Sequence, residues 1–174
     1  VITPPALSWP AGRRAAPDFS LTDQRGRPVS VAAFRGRPVI VTFVDPLCRN
    51  LCPLEAHTLN YVVAEMPPAQ RPVIIAVSVD VFADARAGLL QDEHRWRLVP
   101  QWHWAVGSAA ALASVWRRYS IGVSVVTKHL DGVAIHYVTH TEAAYVLDRT
   151  GHERALFAWP FYPQDLRRVL QRLS

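Results

Sequence analysis

Two uninterrupted apolar runs, "PVIVTFV" at 38–44 and "PVIIAVSVD" at 72–80, restrict this chain more than any other feature. A strand with one wet face alternates apolar and polar residues, so runs of this kind need cover on both faces, the pattern of buried parallel strands. Parallel neighbours need a crossover between them. Residues 53–66 supply one, opening with Pro53, a residue suited to a helix start. The chain is therefore α/β, and both of its cysteines, Cys48 and Cys52, lie at the bend from strand into helix.

Around this unit the pattern predicts further elements. Residues 18–34 alternate about the turn Arg25-Gly26-Arg27, which predicts an N-terminal hairpin with Phe19, Leu21, Val29 and Val31 facing inward. A helix fits 83–96, a short strand 101–107, and a third helix 108–120 with Ser108 as its cap. Asp131-Gly132 suits a two-residue type I′ turn and predicts an inserted hairpin over 123–138, before the buried strand "AAYVLD". In the last segment Leu166, Val169, Leu170 and Leu173 share one helical stripe, with arginines opposite. Residues 1–17 read as a Pro/Ala-rich tether left by removal of a signal or membrane anchor, and 18–174 as one domain.

Only 19% of residues are charged, below the roughly 25% of typical domains, which excludes disorder. No apolar run approaches the roughly 20 residues that cross a bilayer as a helix. The net charge of +5 comes from 18 Arg and one Lys, Lys128, scattered as pairs. Scattered arginines without a nucleic-acid motif fit a basic surface for docking to acidic partners or lipid, and no nucleic-acid partner is expected. Most of the six tryptophans, Trp96, Trp102 and Trp104 among them, are expected in the core.

The cysteines admit three readings. A structural disulfide would close a ring of five residues and contribute about 2 kcal/mol, against about 4.7 for a 100-residue loop. A redox pair and a metal site both gain from the helix N-terminus, whose unpaired N–H groups and dipole favour thiolates. Two thiolates undersupply most metals, so a third ligand is sought. On a helix His57 points about 140° away from Cys52, and Glu55, about 60° away, suits a supporting role. His94, His103 and His152 form no cluster, which leaves His129, His136 and His140 in the hairpin region.

Here the residues resemble the Sco/SenC copper chaperones. Cys48-x-x-x-Cys52-Pro53 is similar to their Cys-x-x-x-Cys-Pro loop, Ser78-Val79-Asp80 followed by Asp84 to their Ser-x-Asp-Pro-x-x-Asp stretch, and His140 with Tyr145 and Asp148 to their His-Ser-x-x-x-Tyr-Leu-x-Asp segment. The resemblance spans 16–174. It implies a thioredoxin-like fold, a central mixed sheet flanked by helices, and copper, as Cu(I) or Cu(II), held by Cys48, Cys52 and His140. It also implies an extracytoplasmic place in the periplasm or on the outer face of the inner membrane, reached through a removed N-terminal anchor. The function implied is delivery of copper to, or reduction of the cysteines in, the dinuclear copper centre of cytochrome c oxidase. The copper-bearing subunit of that enzyme is then the partner of a monomeric domain, with another periplasmic copper chaperone or a thiol reductase as further partner. Thr139 stands where the family has Asp, Val81 and Arg86 replace prolines and Ala85 a Thr, so the group that orients His140 must be sought elsewhere.

The donor chemistry agrees with copper, because soft thiolates select Cu(I) and an added imidazole accommodates Cu(II). Zinc shares these donors, yet its structural sites want four ligands and no third Cys exists. The enzymatic alternative is a partner-specific thiol-disulfide reductase with Cys48 and Cys52 as its catalytic pair. General reductases of this class place a proline before the strand equivalent to "AAYVLD", and none occurs between Pro100 and Pro160. A peroxiredoxin, suggested by "CPLE", would need Thr or Ser where Arg49 stands.

Overall fold

The computed structural model describes residues 5–48, 51–83 and 86–174, without the side chains of Leu51 and Cys52. The chain runs β1 (Leu7–Ser8), β2 (Leu21–Thr22), β3 (Pro28–Val29), β4 (Val39–Val44), α1 (Leu51–Ala64), β5 (Val73–Ser78), α2 (Arg86–Arg95), β6 (Trp102–Ala105), α3 (Ala109–Arg118), β7 (Val123–Leu130), β8 (Val133–His140), β9 (Ala143–Leu147), β10 (Glu153–Ala158) and α4 (Pro163–Leu173). Six strands form one mixed sheet in the order β1-β10-β9-β4-β5-β6. β4, β5 and β6 run parallel, while β9, β10 and β1 alternate antiparallel beside them.

Cover on both faces explains the apolar runs. Ile40, Val44, Ile74 and Ala76 face Ala56, Leu59 and Val63 of α1 and Leu166 and Leu170 of α4. Their neighbours Val39, Val41, Phe43, Ile75 and Val77 face Leu112, Val115 and Tyr119 of the α3 segment and the hairpin residues Phe19, Leu21, Val29 and Val31. Every residue of β4 and β5 is consequently buried. Trp96, Trp102 and Trp104 lie in the first cluster, as core residues. Ser108 caps α3, its hydroxyl accepting from the Ala111 N–H.

The β2-β3 hairpin closes the β6 edge. Thr22 and Val106 exchange two backbone hydrogen bonds of 2.9 Å. Beside them the buried Gln24 side chain accepts from the Trp104 N–H at 3.0 Å and donates to the Trp102 carbonyl at 3.2 Å. A side-chain amide thus satisfies backbone groups that an open edge would offer to another chain.

β7 and β8 form a separate two-stranded ribbon, paired from Val123↔His140 to Leu130↔Val133. Asp131 and Gly132 at its tip have φ of 50° and 80°, as a type I′ turn requires.

One expectation needs correction. Part of the segment expected to be a tether, 1–17, is laid along the sheet: Leu7 and Ser8 pair with Leu156 and Ala155, and Ala15 bridges to His152. The reason lies in the far partner, because the open edge of β10 offers backbone groups that Pro/Ala composition does not reveal. Residues 153–158 carry a fainter pattern than the other core strands. They form β10, inward-facing only at alternate positions, so the segment lacks the long apolar run that marks β4 and β5.

Candidate metal centre

The cysteine loop leaves the sheet where β4 ends. Asp45 there accepts from the Leu47 N–H on its carboxylate at 2.9 Å and from the Cys48 N–H on its backbone carbonyl at 3.1 Å, a tight turn that sets Cys48. Cys48 is half-buried and packs against the α1 side of the core. Cys52 follows in the first turn of α1, beside Pro53. Its side chain lies outside the described residues, as do Arg49, Asp84 and Ala85 entirely.

His140 is the last residue of β8 and half-exposed. The register Thr42↔Ala144 makes the chain before β9 run past the end of β4, so the topology brings His140 and Cys48 to the same end of the sheet. His140 Nδ1 is 2.9 Å from the Thr141 carbonyl oxygen. A carbonyl only accepts, so Nδ1 carries the proton and the lone pair resides on Nε2, the form in which imidazole ligates metals. The orienting group expected of an Asp at 139 is therefore a backbone carbonyl. Thr141 is itself fixed, its N–H donating to Gly122 O at 2.9 Å and its hydroxyl accepting from Gly122 N at 3.1 Å.

The other two hairpin candidates differ. His136 stacks on Phe82 with centroids 4.0 Å apart and 8° between planes, and its Nδ1 lies 2.9 Å from the Thr127 hydroxyl. His129 pairs with Ala134 next to the ribbon tip. His57 meets the Trp96 ring, away from the cysteine loop. Among the described residues no three His, Cys, Asp or Glu side chains form a metal-ligating cluster, and this set does not include the Cys52 sulfur.

Two buried acids lie beside β4, and sequence reasoning singled out only one of them. Glu55, fully buried on α1, has its carboxyl pushed up to about 8, chiefly by burial and then by the charge of Glu142. Its Oε1 is 3.1 Å from the Thr42 hydroxyl, which is also 3.1 Å from the Ala143 carbonyl, and its Oε2 has no partner. One hydroxyl proton cannot serve both acceptors; a protonated Glu55 resolves the competition by donating to Thr42 itself. Asp45 was missed. Burial first, and then the adjacent Asp80, raise its carboxyl above the ordinary aspartate range. In sequence Asp45 precedes a proline at a strand end and reads only as a turn residue. Asp80 closes a similar turn after β5, accepting from the Phe82 N–H at 2.8 Å.

A mixed sheet with a two-cysteine loop running into the first turn of the helix after its central strand defines a thioredoxin-like domain. Comparison with known proteins refines this. The SCO1/SenC family profile matches residues 10–173, and the chain belongs to that family. It is 37% identical over 142 residues to the mitochondrial SCO2 homolog of Bos taurus, covering 77% of this chain and 50% of that protein, so the chain spans about half the length of the curated relatives it matches. Among solved structures it is similar to copper-bound ScoI of Bradyrhizobium japonicum, at 25% identity and a TM-score of 0.78 over 92% of this chain and 99% of that one. The same fold, at 18% identity and a TM-score of 0.71 over 98% and 95% of the two chains, occurs in BsSco, described as a Sco family cytochrome c oxidase assembly protein with a disulfide switch.

Proposed function

We propose that this protein is a copper metallochaperone that carries its cargo on Cys48, Cys52 and His140 and serves the dinuclear copper centre of cytochrome c oxidase, delivering copper to it or reducing its cysteines. The observation that carries the reading is the His140 imidazole, held by the Thr141 carbonyl in the tautomer that ligates through Nε2, at the sheet end where Cys48 stands. The donor set fits the cargo: two soft sulfurs satisfy Cu(I), and one imidazole adds the harder donor that Cu(II) needs. Copper bound to the similar ScoI supports the same chemistry here. The partner is the copper-bearing oxidase subunit, and the domain works as a monomer outside the cytoplasm on an N-terminal anchor. A copper titration of fully reduced protein tests the site. Cu(II) gives thiolate-to-metal charge-transfer bands at one equivalent, and Cys48→Ala or Cys52→Ala abolishes them; undiminished bands in either variant sink the joint site.

One observation favours a second reading, partner-specific thiol-disulfide reduction. Glu55, one helical turn after Cys52, is a buried carboxyl that holds its proton near neutral pH. Such a group can return a proton to a thiolate released in disulfide exchange. Turnover of insulin or of a partner-derived disulfide peptide by metal-free protein supports it, and its absence leaves the chaperone alone.

A further inference from the structure

We propose that the arginine-lined groove between β1, β10 and α4 docks on the phosphate headgroups of an anionic lipid surface, holding the cysteine end of the sheet away from the membrane. The groove has a volume of about 360 Å³. Trp9, Val169 and Leu173 give it apolar walls, and Arg154, Arg168 and Arg172 surround them. That combination suits a phosphate attached to hydrocarbon, which takes guanidinium hydrogen bonds at one end and apolar contact at the other.

The charge extends beyond the groove. Arg14 lies over the Trp9 ring at 4.8 Å, Arg149 reaches the Leu173 carbonyl, and Arg35 lies against Gly151. Of the six guanidiniums of Arg14, Arg35, Arg149, Arg154, Arg168 and Arg172, three are ion-paired among the described residues: Arg14 with Glu153, Arg154 with Asp148 at 3.6 Å and Arg168 with Asp165 at 3.3 Å. Asp165, which also lines the groove, is buried, with its second oxygen unpartnered. Arg172 has no ion pair among the described residues. Leu7, 53% exposed, adds an apolar side chain beside this surface.

Topology gives the orientation. β9 is antiparallel to β4, so the turn carrying Asp148 and Arg149 lies at the end of the sheet opposite the cysteine loop, and Arg149 donates there to Gly36 O just before β4. The buried or half-buried acids Asp45, Asp80 and Glu142 sit at the cysteine end. An extended basic face at one pole and acids at the other align the molecule over a negative plane. The inference does not depend on the copper reading.

The test is sedimentation of the 174-residue protein with vesicles of phosphatidylcholine, with and without phosphatidylglycerol, at low and high salt. Binding is expected only with the anionic lipid, and weaker in high salt. Arg168→Gln and Arg172→Gln should lower partitioning about fivefold for each arginine removed, whereas Arg95→Gln and Lys128→Gln, outside this pole, leave it unchanged. Quenching of Trp9 fluorescence by brominated phosphatidylglycerol, absent in Trp9→Phe, reads the same contact without altering any arginine. Equal loss from both pairs of substitutions overturns the proposal. So does binding of inorganic phosphate or polyglutamate by a protein that ignores the vesicles.

Discussion

Glu55 carries a pH dependence that can be measured without any metal. Its carboxyl stands at about 8 in the folded protein against 4.5 in the reference state, so between these values the folded chain binds more protons than the unfolded one. Stability from this group is therefore complete below pH 4.5 and is lost as pH rises to about 8, with a steepest slope of about 1.4 kcal/mol per pH unit. Glu55→Gln keeps the shape and removes the titration. Urea unfolding of both proteins from pH 5 to 9 is expected to show the variant gaining on the parent as pH rises; a constant difference rejects the raised carboxyl. His140 makes a different prediction at the same scale. His140→Ala should retain Cu(I) on two sulfurs and weaken Cu(II) at least tenfold, with a shifted charge-transfer spectrum, while His136→Ala, which loses the Phe82 stack, leaves Cu(II) affinity nearly unchanged. Matching Cu(II) affinities for parent and His140→Ala exclude the third ligand. The His140 candidate was legible only through the resemblance of its segment, with Tyr145 and Asp148, to the Sco/SenC pattern; the residues alone left His129 and His136 beside it. The group that orients His140 was not legible, since every residue offers a carbonyl and only the local turn decides which one meets the ring.

Among elements, the β6 edge shows how a single polar side chain governs pairing. Gln24→Ala removes the partners of the Trp104 N–H and the Trp102 carbonyl in a buried place, and is expected to cost about 2 kcal/mol or more in urea unfolding. A loss below a few tenths of a kcal/mol would show that water replaces the amide. The elements carried by long periodic or continuous patterns were readable: β4, β5, α1, α3, α4 and the type I′ ribbon agree with their expected places. β1 and β10 were not. β10 is held by β9 and β1 by β10, and a two-residue strand such as Leu7–Ser8 carries no local periodicity by which to be recognised. Gln24 was equally silent, because a glutamine beside a turn reads as solvent-facing until the strand it plugs is known.

For the whole molecule, copper bound only by the folded, reduced protein should raise its stability by mass action, by about 4 kcal/mol when free metal exceeds Kd a thousandfold. Buffered Cu(I) added in a thermal scan should shift Tm upward in the reduced protein and leave a verified Cys48–Cys52 disulfide form unmoved, since the same sulfur electrons serve bond and metal; equal shifts contradict that exclusivity. The α/β class, the crossover with its cysteines at a helix start, the hairpin turn and the ligand candidates all follow from the order of residues along the chain. All of these are local, set by the period of apolar residues, by proline and glycine geometry and by the donor chemistry of sulfur and imidazole. Folding in three dimensions is what brings Glu55 to Thr42 and Glu142, Asp45 to Asp80, Gln24 to β6 and arginines distant in sequence to one groove. These depend on burial and on charges brought together across many residues, and the free energy of a carboxyl or a guanidinium is set by what surrounds it in space.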